Sequence, residues 1–201
     1  MKIAVIGAGN VGGTLAKQFA KSGHTVYLGV RNQNDEKVKK LISKKITAHT
    51  VDEAAKLADV IVTAAYPTDT KQIAKQLGNV KDKVIVDAMN TFRGKPKPYK
   101  TTAEALLAYT NCRDVARCFN TTGFNNMANP KYKGTGIDMF IAGSTDKAKK
   151  VATILAKDVG FGKVHDLGGP EAFELLEQIV VVWVSLSQIL GRNIALQILK
   201  R

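Results

Sequence analysis

Gly7-Ala8-Gly9-Asn10-Val11-Gly12 has GxGxxG spacing, and the chemistry which that spacing serves is the binding of a diphosphate. Gly7 permits a tight turn, Gly9 offers no side chain to a pyrophosphate, and Gly12 lets a helix pack closely on a strand. The first N–H groups of such a helix are unpaired, and its dipole favours negative charge. A second chemical signal is Val30-Arg31-Asn32. Sites that read an unphosphorylated ribose place Asp or Glu here to hold the 2′-hydroxyl. A guanidinium instead pairs with a 2′-phosphate through charge-assisted bonds of about 1.5–3 kcal/mol. No acid competes with Arg31 at this point of the sequence, so the pattern predicts NADP(H) over NAD(H). The plain alternative is an exposed loop arginine. Lys37 is a candidate second cation, opposed by its neighbours Asp35 and Glu36.

These residues need a strand before the glycines and a helix after them. Ile3 to Ile6 is a short apolar run that reads as a buried strand, and a helical pattern runs from Val11 to Ala20. Thr25–Val30 reads as the second strand, 34–44 as a basic amphipathic helix and Ile46–Ala48 as a short third strand. A short helix follows over Asp52–Leu57. Asp59–Ala65 is the fourth strand; its small end, with Ala65 and Tyr66, suits a nicotinamide lying against backbone. A helix over Asp69–Leu77 leads to the fifth strand, Lys83–Ala88, which ends near Asn90. Thr91–Lys100 is a Pro- and Lys-rich stretch that reads as a surface loop or a lid. Thr101 and Glu104 form a capping box for a helix to Tyr109. Asp114–Phe119 is the sixth strand and delivers Asn120 at its carboxyl end. In open α/β sheets, ligands collect outside such ends.

A further strand is expected over Met139–Ala142, a helix over Thr145–Val159, a short strand over Lys163–Asp166, and helices over Glu171–Leu190 and Asn193–Leu199. The fold class is therefore α/β: a doubly wound, mainly parallel Rossmann sheet with a short C-terminal helical extension. Residues 1–166 form the nucleotide-binding domain. Residues 167–201 pack on it or on a dimer partner, because Phe173, Leu176, Ile179, Val180, Trp183, Leu186 and Leu190 make an apolar face at helical spacing.

The missing residues narrow the reaction. A dehydrogenase acting on an alcohol needs a general acid or base near the hydride path. His24, His49 and His165 all fall outside the expected site, and Tyr66 has no activating lysine at short helical spacing. There is no Ser/His/Asp set and no metal-ligand cluster. Such a face binds and aligns but moves few protons. That suits hydride transfer between two redox rings, where the protein supplies proximity and orientation.

The net charge of +13 favours anionic partners. The lysines are scattered over separate segments without interleaved aromatic residues, which argues against specific nucleic-acid binding. The apolar stretch Ile179–Leu190 is too short to span a bilayer, and a strand starting at Lys2 leaves no room for a leader, so a cytoplasmic protein is expected. Cys112 and Cys118 stand in no metal or CxxC pattern and read as reduced structural thiols.

In order along the chain, IAVIGAGNVGGTLA, GVRN, DVIVTAAYP, VIVDAMN, RCFNT, FIAGSTDKAKKVATILAKDVGF and HDLGG…ELLE resemble the NADPH-dependent F420 reductase-like family of small NADP oxidoreductases. The reductase domain of the STEAP metalloreductases is also similar. The resemblance implies NADP(H) held by Ala8, Gly9, Asn10, Val11 and the Arg31 region, with the nicotinamide passing Ala65, Tyr66 and Asn90 towards Asn120. It implies a second redox partner, a flavin or coenzyme F420, and often a dimer. Val30 stands where a serine commonly helps to hold the 2′-phosphate. The loop from Phe92 to Lys100 is longer on the acceptor side. Two other readings stay open: an NADPH-binding sensor without turnover, and a reductase of small imines or ketones. The latter usually has a larger helical C-terminal part.

Overall fold

The computed structural model describes residues 1–201, with every side chain except that of Arg93. The chain runs β1 (Lys2–Ile6), α1 (Asn10–Lys21), β2 (Thr25–Gly29), α2 (Glu36–Lys39), β3 (Ile46–His49), α3 (Val51–Leu57), β4 (Val60–Thr63), α4 (Thr70–Leu77) and β5 (Val84–Asp87). It continues through α5 (Thr102–Tyr109), β6 (Asp114–Arg117), α6 (Phe124–Ala128), the hairpin of β7 (Lys131–Tyr132) and β8 (Thr135–Gly136), β9 (Met139–Gly143), α7 (Asp146–Val159), β10 (Val164–Asp166) and α8 (Phe173–Leu190).

A pleated strand sends alternate side chains to opposite faces. Ile3 and Val5 of β1, Val60 and Val62 of β4, and Val84 and Val86 of β5 enter one core. Ala4, Ile6, Ile61 and Ile85 enter the other. Strands apolar on both faces must be covered on both, which requires a sheet between two helical layers. The first core is closed by Leu15, Ala16 and Phe19 of α1 and by Ala152, Leu155 and Ala156 of α7. The second is closed by Ala54, Ile73, Leu77, Leu106, Phe173 and Leu176 from α3, α4, α5 and α8. Strand order is β10-β9-β6-β5-β4-β1-β2-β3. The six strands from β3 to β6 are parallel, in the order of a doubly wound dinucleotide-binding sheet.

Three expectations are corrected. The helix expected over 34–44 is only the four residues of α2. The Asn32 side chain accepts from the Asn34 N–H in a local turn, and Asp35 caps α2 by accepting from the Lys37 N–H, so the helix starts only at Glu36. Ser43 then bridges to Ile46. The sixth strand ends at Arg117 rather than Phe119, because Phe119 takes a left-handed backbone with φ 69°. The second C-terminal helix is absent. Gly191, at φ 80°, ends α8, and residues 191–201 form an irregular tail. Its backbone groups bond to side chains of the domain instead of to one another. Ile194 O accepts from Asn126 Nδ2 and Trp183 Nε1, and Ile198 N donates to Asp138 Oδ2.

Pro170–Leu190, the turn and α8 together, is long and apolar enough by length and composition to cross a membrane. Here Phe173, Leu176, Val180 and Trp183 of that helix pack on the domain.

Trp183 is the one tryptophan in the chain, so its emission reports whether the tail is docked. Its indole donates to Ile194 O at 3.0 Å, and the Arg192 guanidinium lies 5.2 Å from its ring. Truncation after Leu190 is expected to red-shift the emission and raise iodide quenching while leaving far-UV circular dichroism nearly unchanged. An unaltered spectrum would show that the tail does not cover the indole.

Candidate functional site

The carboxyl ends of β2, β1, β4, β5 and β6 lie side by side. They bring together Val30, Arg31 and Asn32, then Gly7 to Gly12, then Ala65 and Tyr66, then Asn90, then Asn120. At a strand spacing of about 4.8 Å this row is about 19 Å long, a span comparable with an extended dinucleotide. The chain reverses direction across the sheet between β1 and β4, so the glycine turn sits at the switch point where such ligands bind.

The three motif glycines meet different demands. Gly7 has φ 105°, and a Cβ there would lie 2.6 Å from Ala64 O. A Cβ on Gly12 would lie 2.0 Å from Gly7 O. Both glycines are required by the chain itself, because α1 starts hard against the turn. Gly9 has an ordinary φ of −74°, and a Cβ there would meet nothing within 4 Å. The open space beside Gly9 is where a pyrophosphate would rest. The N-terminus of α1 also lacks a side-chain cap, whereas Thr50, Thr101 and Thr145 cap α3, α5 and α7. Its leading N–H groups are left for an anion.

At the far end of the row the unsatisfied groups are amides. Asn120 is fully buried, and neither its Oδ1 nor its Nδ2 has a partner. Asn90 Oδ1 is likewise buried and unpaired. Each such group costs about 1–3 kcal/mol, and a carboxamide offers the donor that Asn90 Oδ1 lacks and the donor and acceptor that Asn120 lacks. Phe119 turns the chain into Asn120 at φ 69°, a strained conformation for an aromatic residue. Its ring is wedged between Phe19 and Phe161, with centroids 6.0 and 6.1 Å away.

Beneath these amides is a buried polar network that the sequence reading missed. Asp87, fully buried, accepts from Thr63 Oγ1 at 3.0 Å, Met89 N at 3.2 Å and Thr102 Oγ1 at a close contact. Burial raises its pKa, and Arg117 with the three donors opposes that rise. Arg117, also fully buried, lies 3.5 Å from Asp87 by its Nε. Its Nη2 donates to Met89 O at 2.6 Å and Glu177 Oε1 at 2.7 Å, and its Nη1 to Phe173 O at 3.3 Å. Glu177 Oε2 accepts in turn from Thr91 N. The network therefore grips both flanks of Asn90 and ties them to α8.

Arg31 stands where expected, after β2, with its side chain 71% exposed. The statement that no acid competes with it is corrected in space: its Nη2 pairs with Asp69 Oδ2, brought in by the turn before α4. A contact between loops 38 residues apart leaves no local trace in sequence. Val30 is buried, Asn32 is occupied in its own turn, and Tyr66 is 58% exposed.

Of the histidines, His24 lies between the N-terminal amine and Asp158, and His49 contacts Thr47. His165 needs a correction. Because β9 runs antiparallel to β6, the register carries His165 to the same end of the sheet as Asn120, two strands beyond β6. Its Nε2 is fixed on Asp138 at 2.7 Å and its ring stacks on Phe140. Burial works against the Asp138 carboxylate, but the Ile198 N–H and His165 hold its pKa below the ordinary value. Both cysteines are free and buried, and desolvation pushes the Cys118 thiol far upward, which makes it inert.

The contrast between glycines is testable. Gly9→Ala is expected to keep wild-type stability, within about 0.5 kcal/mol, yet to lose at least about tenfold in NADPH affinity by calorimetry. Gly12→Ala is expected to lower the unfolding midpoint even without nucleotide. Equal behaviour of the two variants would refute the division.

Residues 2–91 match the family described as NADP oxidoreductase, coenzyme F420-dependent. No curated protein matches the sequence. A crystal structure of a proposed F420-dependent NADP reductase from Arthrobacter sp. FB24 is similar over 100% of both chains, with 26% identity and a TM-score of 0.83. A hypothetical protein from Sinorhizobium meliloti is similar over 100% of this chain and 96% of its own, at 21% identity and a TM-score of 0.71. The imine reductase of Aspergillus terreus, solved with NADPH4 and dibenz[c,e]azepine, shares the fold over 93% of this chain and 61% of its own, at 19% identity and a TM-score of 0.66. The resemblance carried by the motifs is thus matched over the first strand, the glycine turn and the strands up to Thr91 by the coenzyme F420-dependent NADP oxidoreductase family.

Proposed function

We propose that this protein is an NADP(H)-dependent oxidoreductase that passes hydride from NADPH to a flavin-like or deazaflavin acceptor such as coenzyme F420. The observation that carries the reading is the row of strand ends: an uncapped helix N-terminus beside an open Gly9 at one end, and buried, unpartnered amides at the other. The family match and the shared fold with NADP-dependent reductases support it.

NADPH, when bound, supplies the hydride. The backbone from Gly9 through the start of α1 would hold the pyrophosphate, and Arg31 the 2′-phosphate. Asn120 and Asn90 would fix the carboxamide and so orient one face of the nicotinamide. The small Ala65 leaves room at the end of β4. Apart from Arg31 at one end, the described residues of the row are glycines, small apolar side chains and amides, with Tyr66 the one phenol, so positioning is the protein's main contribution. A flavin or deazaflavin ring that takes hydride at its central ring atom needs no protein acid there; the balancing proton goes to a ring nitrogen and can come from water.

A second copy of the chain is proposed to pack on α8. Leu175, Ile179, Val182, Leu186 and Ile189 recur at 4-3-4-3 spacing, and Leu175, Val182 and Ile189 are among the most exposed apolar side chains. The sensor reading is the alternative that the scarcity of acid–base groups favours. It predicts tight NADPH binding without turnover.

Anaerobic mixing of NADPH with the protein and with FMN, FAD or coenzyme F420 tests the reaction. Acceptor-dependent loss of absorbance at the nicotinamide band is expected, and failure with every ring acceptor leaves the sensor reading in its place. Arg31→Ala is expected to weaken NADPH at least about tenfold while leaving NADH within about twofold; parallel losses would mean that Arg31 does not read the phosphate. Val182→Glu is expected to convert a dimer to a monomer by light scattering, and a wild-type monomer would remove the dimer proposal.

A further inference from the structure

The Arg31–Asp69 pair crosses the nucleotide cleft. Arg31 follows β2 and Asp69 precedes α4, which follows β4. β2 and β4 flank β1 on either side, so the ion pair runs over the carboxyl end of β1, where the glycine turn lies. Arg31 is 71% exposed in its side chain and Asp69 26%. Asp69 makes no capping bond at the start of α4, and among the described residues Arg31 is the recorded side-chain partner of its carboxylate.

We infer that Asp69 is a specificity-determining residue for the nucleotide: it occupies Arg31 in the free protein and competes with the 2′-phosphate for it. This rests on the proposed NADP(H) reading and adds a residue to it. The sign follows from charge. A phosphate approaching Arg31 meets a carboxylate already on the guanidinium, so part of the attraction is spent on exchange. The guanidinium offers five donors, but a dianion and a carboxylate on one fork repel each other. A ribose bearing only the 2′-hydroxyl brings no charge and is nearly indifferent to Asp69. Asp69 therefore narrows the preference for the phosphorylated nucleotide, and its hold on Arg31 must shift when the 2′-phosphate arrives.

Asp69→Asn keeps the size of the side chain and removes its charge. It is expected to tighten NADPH about two- to fivefold, the range of an exposed ion pair, with NADH changed by less than about 1.5-fold. The gain should shrink in high salt. In the Arg31→Ala background the same substitution should leave the NADPH-to-NADH ratio unchanged, since the competition needs both partners. An unchanged ratio in the single variant, or a selective weakening of NADPH, overturns the inference. These outcomes are separate from failure of the underlying reading, which would appear as a wild-type protein that binds neither nucleotide. Thermal unfolding of each variant distinguishes a binding effect from damage to the fold.

Discussion

A guanidinium with no access to solvent is the constraint on which the carboxyl ends of β5 and β6 depend. Arg117 projects from the end of β6 into the space between β5 and α8, and none of its side chain reaches water. A buried charge left uncompensated costs several kcal/mol, so its partners are not optional. Asp87 supplies one carboxylate from the neighbouring strand and Glu177 the other from α8, while Met89 and Phe173 lend carbonyls. Satisfying Arg117 therefore sets three things together: where the chain turns after β5, how α8 lies across the sheet, and which way the residues around Asn90 face. Asp87 is itself fully enclosed by Thr63, Thr102 and Met89. The end of the row that carries Asn90 and Asn120 is in this sense built on a hydrogen-bonded floor, whereas the glycine-turn end is built on bare backbone.

That difference explains what could be read beforehand. Strand alternation, the GxGxxG turn and the Thr101–Glu104 capping box depend on neighbours in sequence, and each appears where its residues stand. The same holds for Asn90 and Asn120, which follow apolar runs and so had to lie at strand ends. What escaped depends on distance along the chain. Asp87 and Arg117 stand within the expected strands over Lys83–Ala88 and Asp114–Phe119, and nothing local marks them as partners 30 residues apart. Asp69 looked like a helix-start acid and is instead the partner of Arg31. Residues 193–199 have helical spacing, yet Asn126, Trp183 and Asp138 offer their backbone other partners, and the tail takes those. Local pattern reports a preference, and tertiary hydrogen bonds from a preformed surface override it.

His165 shows a subtler limit. Its sequence position, in the last strand near the C-terminal helices, set it outside the expected site. A single antiparallel pairing, β9 on β6, inverts the sense of β9 and β10 and brings Asp138, His165 and the docked tail to the end of the sheet where Asn120 lies. The pairing is signalled by nothing in the composition of β9, which is apolar on both faces like its neighbours. The short hairpin β7–β8 before it reverses the chain, and such reversals are weakly encoded in two-residue strands.

The distribution of unsatisfied groups then separates folding from function. Among the described residues, the buried side-chain polar atoms without partners belong to Asn90, Arg117, Asn120 and Asn125. Three of them lie on or just beyond the ends of β5 and β6, and Asn125 lies in α6. Arg117 Nε is explained by its ion pair with Asp87, and Asn125 is already bonded through its other amide atom to the tail. Asn120 alone has both polar atoms idle, and the residue before it, Phe119, adopts a costly left-handed backbone. A chain selected only for stability would replace a buried, unpaired amide with an apolar side chain of similar size, gaining the desolvation cost of two polar atoms. Keeping Asn120 makes physical sense when a complementary donor and acceptor arrive from outside, and a carboxamide presented along the row from Gly9 is the group whose shape and hydrogen bonding match it.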